Sequence, residues 1–208
     1  MRGIDYTVIA DGSSDRVLDC AIRWVLARFG VPVDSGEFAQ VPRSCSLFQR
    51  ARLAIRQHPA DILFIHRDAE RETHDTRITE IRAAVSGLGT SSVAIVPVRM
   101  TEAWLLHDEF AIRCASDNPN GKVALALPAV KDIEHIPDPK AVLHAALLDA
   151  SEFTGRRREK RKGEFARRRI RTAELIVDFS PLHILPAFQA FFDEVRVALV
   201  GLGRVDPD

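Results

Sequence analysis

The chain of 208 residues lacks the marks of a membrane or secreted protein. It has no apolar run of about 18 residues, the length that a membrane-spanning helix needs, and its first residues lack the apolar segment of a secretory signal. Its three cysteines, Cys20, Cys45 and Cys114, are odd in number and widely spaced, which matches neither a disulfide framework nor a zinc motif. These absences predict a cytoplasmic protein with no membrane partner.

Two common catalytic motifs are also missing. Residues 11–15 follow a predicted strand but contain one glycine and no lysine, so we do not expect a phosphate-binding loop or ATP hydrolysis by this chain. No serine or cysteine stands in a recognisable nucleophile elbow. With 46% hydrophobic and 28% charged residues, the composition is that of a folded globular protein.

The first half of the chain alternates between strand and helix patterns. Apolar strand patterns occur at 4–10, 61–66 and 92–98, with a weaker one at 37–41, and helical periodicity lies between them. This order predicts an α/β fold with a mostly parallel sheet and helices on both faces, similar to Rossmann folds. We predict an α/β domain over residues 1–116 and a helical, basic C-terminal extension over residues 117–208.

Acidic residues follow three of these predicted strands. Asp11 and Asp15 follow the first strand, Asp68 and Glu70 follow the third, and Glu102 follows the fourth. Because ligands bind outside the carboxyl ends of parallel strands, we expect these side chains to form one site. Carboxylate oxygens suit Mg²⁺, so the predicted ligand is Mg²⁺, with Mn²⁺ as the alternative ion.

Some of these acids have a structural alternative. Asp15 could serve only as a cap of the first helix, and Glu102 could cap a helix that begins near Thr101 and stabilise its dipole. Asp68 directly follows a buried strand, so a purely structural role fits it less well.

A net charge of zero hides one strongly basic segment. Residues 156–171 contain ten Lys or Arg and two Glu, a net charge of +8, so the rest of the chain carries −8. Such side chains bind phosphates without reading base sequence. The predicted nucleic-acid contacts are Arg156, Arg157, Arg158, Lys160, Arg161, Lys162, Arg167, Arg168, Arg169 and Arg171. The alternatives are a solvated helix and a docking surface for an acidic partner protein.

Three segments resemble the motifs of TOPRIM domains. Residues 9–15 (IADGSSD) resemble the opening motif, where the family usually has Glu-Gly and then a further acid. Residues 64–70 (FIHRDAE) resemble the Asp-x-Asp motif that follows a hydrophobic strand. Residues 96–108 (VPVRMTEAWLLHD) are similar to a third motif, found in small stand-alone TOPRIM-like proteins, some of them associated with ATPases in bacterial defence loci.

The resemblance implies a Mg²⁺-dependent nuclease that cleaves phosphodiester bonds of DNA or RNA in anti-phage defence, with an ATPase as a partner. It implies catalytic roles for Asp11, Asp68, Glu70 and Glu102, with Asp15 in support. Asp11 stands where the family usually has Glu, and Glu70 where it often has Asp.

Two rival functions stay open, and the shorter acid at position 11 bears on the first. One is a non-catalytic module that binds nucleic acid or a partner protein beside a degenerate metal site. The other is a phosphoryl-transfer enzyme acting on a nucleotide or a small phosphate ester. The sequence leaves open whether the chain forms a homo-oligomer.

Overall fold

A computed structural model describes residues 2–10, 12–69 and 72–207, and its centre is a four-stranded sheet. All strand pairs are parallel and the strand order is β2-β1-β3-β4. The strands are β1 (Ile4–Ile9), β2 (Val33–Phe38), β3 (Ile62–His66) and β4 (Ser91–Ile95). The predicted α/β class with a parallel sheet is confirmed. The second strand begins four residues earlier than its predicted position at 37–41.

Eight α-helices lie within the described residues. They are α1 (Leu18–Arg28), α2 (Leu47–Gln57), α3 (His74–Val85), α4 (Glu109–Ala115), α5 (Pro139–Ala150), α6 (Gly155–Lys162), α7 (Phe165–Leu175) and α8 (Pro186–Gly201). Side chains cap several of them: Ser46 begins α2, Thr73 begins α3 and Asp138 begins α5. In the described part of the chain, no helix combines the length and apolar character needed to cross a bilayer.

Two short 3₁₀ helices follow strands and carry predicted site residues. The first, Ser13–Val17, is called here the Asp15 turn, and the second, Thr101–Leu105, the Glu102 turn. An α-helix was expected to begin near Thr101, but the chain forms a 3₁₀ turn there and α4 begins only at Glu109.

The sheet is buried on both faces. Successive side chains of a strand point to opposite faces, and in β3 Leu63 and Ile65 belong to one hydrophobic cluster while Ile62 and Phe64 belong to another. The smaller cluster packs the sheet against α2 and α3.

The larger cluster joins the sheet to the C-terminal helices. Phe64 of β3 lies 6.3 Å, ring centre to ring centre, from Phe191 of α8, which also stacks on Trp104 of the Glu102 turn at 5.8 Å. Side chains of α1, α5 and α7 belong to the same cluster. The helical C-terminal part therefore supplies much of the second helical layer, and the division at residue 116 stays a prediction.

We expect Phe191→Ala to lower the free energy of unfolding by about 3–5 kcal/mol, the usual cost of truncating a buried Phe. Phe191 is 1% exposed and touches both the sheet and the Glu102 turn. Urea unfolding followed by tryptophan fluorescence and circular dichroism measures this change, and one shared core predicts coincident transitions.

The control for this experiment is Phe110→Ala. Phe110 is 66% exposed, so its truncation should change stability by less than about 0.5 kcal/mol. Equal effects of the two changes, or two separate transitions, would contradict a core shared by sheet and C-terminal helices.

Candidate functional site

A buried histidine lies between two carboxylates at the carboxyl edge of the sheet. His66, the last residue of β3, is 1% exposed. Its Nδ1 lies 3.5 Å from Oδ2 of Asp15, and its Nε2 lies 3.2 Å from Oδ1 of Asp68 and 3.3 Å from Oγ1 of Thr101. Segments that follow β1, β3 and β4 thus meet at one imidazole ring, called here the His66 cluster (Asp15, His66, Asp68 and Thr101).

The fold explains why these side chains converge. His66 and Asp68 are two residues apart at the end of an extended strand, so their side chains point to the same side. Asp15 is held by its own turn, because its Oδ2 accepts a hydrogen bond from the backbone N–H of Gly12 at 2.9 Å. The chain passes from β1 to β2 on one side and then returns to β3 on the other, so the cluster lies where strand connections diverge, the usual position of α/β sites.

The two carboxylates keep His66 protonated at neutral pH. Burial by itself would lower the pKa of His66, but its contacts with Asp15 and Asp68 outweigh burial and raise the pKa from 6.5 to about 9. Nε2 lies within hydrogen-bonding distance of Asp68, whereas Nδ1 makes no hydrogen bond within the described residues and contacts Asp15 only as an ion pair at 3.5 Å.

Glu102 has a different partner from the other predicted ligands. It is 6% exposed, and its Oε1 accepts a hydrogen bond from Nη1 of Arg169 at 2.5 Å. Arg169 comes from α7, which packs against both the Asp15 turn and the Glu102 turn. The structure therefore places this carboxylate in a buried ion pair beside the edge of the sheet.

The described residues offer part of a magnesium site. Asp68 is partly exposed, and its Oδ2 has no partner among the described residues, so this oxygen suits a hard cation. Asp15 supplies a second carboxylate across the imidazole from Asp68. Within the described residues, no group of three His, Cys, Asp or Glu is arranged to hold a metal ion. The predicted ligands Asp11 and Glu70 lie outside the described residues.

Most of the predicted nucleic-acid contacts face carboxylates of the same chain. Asp117 and Glu164 form the centre of this network, since each lies within 2.9 Å of both Arg161 and Arg168. The other pairs are Arg158–Asp149, Lys162–Glu159, Arg167–Glu164 and Arg171–Glu174. The basic segment is thus largely compensated by carboxylates from α5, from the loop after α4 and from its own two helices.

Burial divides the basic segment further. Arg168 and Arg169 are 3% and 5% exposed, so a phosphate could reach them only after their ion pairs opened. Arg156, Arg157 and Lys160 are exposed on α6 and have no carboxylate partner in the described part of the chain. Phosphate binding by this segment stays a prediction, and its best candidates are these three side chains.

Two central residues had weak sequence signals. His66 ends the strand predicted at 61–66, and a histidine at the end of a strand is by itself no evidence of a site. Arg169 stands 67 positions from Glu102, and no local pattern connects two residues so far apart.

Comparisons with known proteins found no match among family models, curated proteins or solved structures. The resemblance to TOPRIM domains therefore rests on the three motifs, and the candidate site rests on its own geometry.

We expect the stability of the metal-free protein to fall as the pH rises through about 9. The pKa of His66 is higher in the folded chain than its ordinary value of 6.5. Its stabilising contribution is therefore fully present below about pH 6.5 and is lost as the pH passes about 9, a change on the order of 3 kcal/mol. Urea unfolding in EDTA across this range measures it.

His66→Gln should remove this pH dependence, whereas replacement of the exposed His135 by Gln should preserve it. A His66→Gln protein that keeps the full pH dependence would show that another group is responsible.

We expect Arg169→Met to destabilise the protein by about 3–5 kcal/mol, because it leaves the buried carboxylate of Glu102 without its partner. The double variant Glu102→Leu/Arg169→Met should regain most of that loss, since it removes both buried charges. Chemical unfolding of the two single variants and the double variant gives the coupling energy.

Arg171→Met is the matched control on the same helix. Its pair with Glu174 is exposed and 3.3 Å long, so its loss should cost less than about 1 kcal/mol. If Arg169→Met costs no more than this control, the buried pair does not anchor α7.

Proposed function

We propose that the protein is a metal-dependent nuclease whose reaction takes place at the His66 cluster. The observation that carries the proposal is the convergence of Asp15 and Asp68 on one imidazole at the point where the strand connections diverge. Carboxylates from two strand ends are the donors that bind Mg²⁺ and position phosphates in such sites.

Asp68 is the described residue best suited to hold an ion. Its Oδ1 faces His66 while its Oδ2 has no partner in the described part of the chain. Asp11 and Glu70 would complete the ligand set, and their assignment rests on sequence. When bound, Mg²⁺ would neutralise phosphate charge and increase the acidity of a bound water.

His66 would act as a positioning residue for the two carboxylates. Its ring lies 3.5 Å from one oxygen of Asp15 and 3.2 Å from one oxygen of Asp68, and these contacts favour one orientation of each carboxylate. In hydrolysis, a water oxygen attacks phosphorus and gives up a proton, the P–O ester bond breaks, and the leaving oxygen takes a proton. By its resemblance to the TOPRIM opening motif, Asp11 is proposed either to accept the proton of the water or to donate the proton to the leaving oxygen.

The biological setting is supported by the resemblance alone. It favours anti-phage defence with an ATPase as a partner protein. The structure supports only the proposal of a reaction site, through the convergence of Asp15 and Asp68 on His66.

Incubation with plasmid DNA or RNA in Mg²⁺ or Mn²⁺ tests the proposal. We expect cleavage by the intact protein, its loss in EDTA, and a reduction of about 100-fold or more in Asp68→Asn, because the amide keeps the shape and removes the charge. Asp34→Asn is the matched control, since Asp34 is exposed near the amino end of β2.

Equal cleavage by the intact protein and Asp68→Asn would reject the assignment of this site. Salt-sensitive nucleic-acid binding without cleavage would favour the non-catalytic module. Turnover of a nucleotide or of p-nitrophenyl phosphate, with nucleic acid left intact, would favour the small-ester enzyme.

A further inference from the structure

A cleft lies beside the His66 cluster, between the loops that follow β1 and β2. Its volume is about 460 Å³, within the range of small-ligand sites. Ala10 and Gly12 form one side, residues 39–43 form the other, and Arg16 and Phe38 also line it. The cleft therefore opens at the same edge of the sheet as the acidic residues.

Among the described residues that line the cleft, two are charged, and both are arginines. Arg16 and Arg43 are exposed, and neither has a carboxylate partner among the described residues. This separates them from the basic segment, where most guanidinium groups already face acids. Uncompensated guanidinium groups at the mouth of a cleft favour an anion with several oxygens, above all a phosphate.

Packing holds one of these arginines in position. The guanidinium carbon of Arg16 lies 5.6 Å from the centre of the Phe38 ring, a cation–π contact that restricts its rotation. Beneath the cleft, Arg50 is 5% exposed and donates a hydrogen bond to the carbonyl of Ala10 at 2.9 Å. On the β1 side of the cleft, the side chain of Arg16 is thus held by Phe38, and the backbone of Ala10 is held by Arg50.

One residue connects the cleft to the candidate site. Gly12 lines the cleft, and its N–H donates to Oδ2 of Asp15, the same oxygen that lies 3.5 Å from Nδ1 of His66. A phosphate bound in the cleft would therefore lie on the same side of the sheet as Asp15.

We propose that this cleft is a nucleotide-phosphate subsite in which Arg16 and Arg43 hold one phosphate of the substrate. The inference rests on the proposed function, because the neighbouring acids give the bound phosphate its significance. Both a nucleic-acid strand and a free nucleotide carry a phosphate that these arginines could bind.

Binding to uncleaved ligand tests the subsite in the Asp68→Asn background. One arm uses fluorescence anisotropy of labelled single-stranded DNA and RNA of about 12 nucleotides, a usual site size. The other uses calorimetric titration with adenosine 5′-monophosphate. The variants are Arg16→Gln, Arg43→Gln and their combination. The matched control is Arg52→Gln/Arg56→Gln on α2, two arginines that are also exposed and have no carboxylate partner within the described residues.

We expect the double cleft variant to weaken binding by about tenfold or more. For the single-stranded ligands, each lost phosphate contact should reduce the slope of log affinity against log salt by about 0.7. The control should change affinity by less than about twofold. Loss of binding in the first arm identifies a strand as the ligand, and loss in the second alone identifies a free nucleotide.

Three results would overturn the subsite: binding unchanged in the cleft variants, loss confined to the α2 control, or no binding of any ligand. Cleavage by the intact protein together with unchanged binding in the cleft variants would reject the subsite and leave the nuclease proposal standing. Binding that depends on the cleft arginines, with no cleavage by the intact protein, would support the subsite and reject the nuclease proposal.

Discussion

The pairing of β1 with β3 at the centre of the sheet determines the positions of the two helical layers and of the candidate site. Both strands are buried on both faces, so the sheet needs two helical layers. The crossovers supply α2 and α3 to one face but only α1 to the other. The C-terminal helices complete that second layer, which is why α8 contacts β4 and Phe191 reaches Phe64. The same pairing brings Asp15 and His66 to adjacent strand ends.

The buried pair of Arg169 and Glu102 connects the second layer to the edge of the sheet. A buried carboxylate is stable only with a partner, and α7 brings that partner to the Glu102 turn. The other arginines of α6 and α7 are likewise directed mainly at acids, so the dense positive charge of this segment serves first to assemble helices. Among the described residues, Arg16 and Arg43 at the cleft beside β1 also lack carboxylate partners, as Arg156 and Arg157 of α6 do.

Local sequence patterns predicted those helices and strands that have a clear cap or an apolar run. Asp138 and Pro139 mark the start of α5, and the apolar run of β3 ends at His66 as expected. The edge strand β2 was misplaced because its sequence, VDSGEF, is largely exposed and lacks an apolar alternation. The basic segment lies in two helices, α6 and α7, which are separated at Gly163. The convergence of acids at one edge followed from parallel topology, whereas the partners of Glu102 and His66 depend on tertiary packing that no local window contains.

Charge balance at the His66 cluster constrains how a cation would be held. At neutral pH the imidazole carries a positive charge and lies between the side chains of Asp15 and Asp68, so a cation bound here would have a positive group beside it. One oxygen of each carboxylate already faces the ring. An ion bound here would rely on Oδ2 of Asp68, on Asp11 and Glu70, and on phosphate oxygens of the substrate. Mg²⁺ is commonly held by one or two carboxylates together with substrate phosphates, so we expect weak retention of the ion alone and tighter retention once a phosphate occupies the neighbouring cleft.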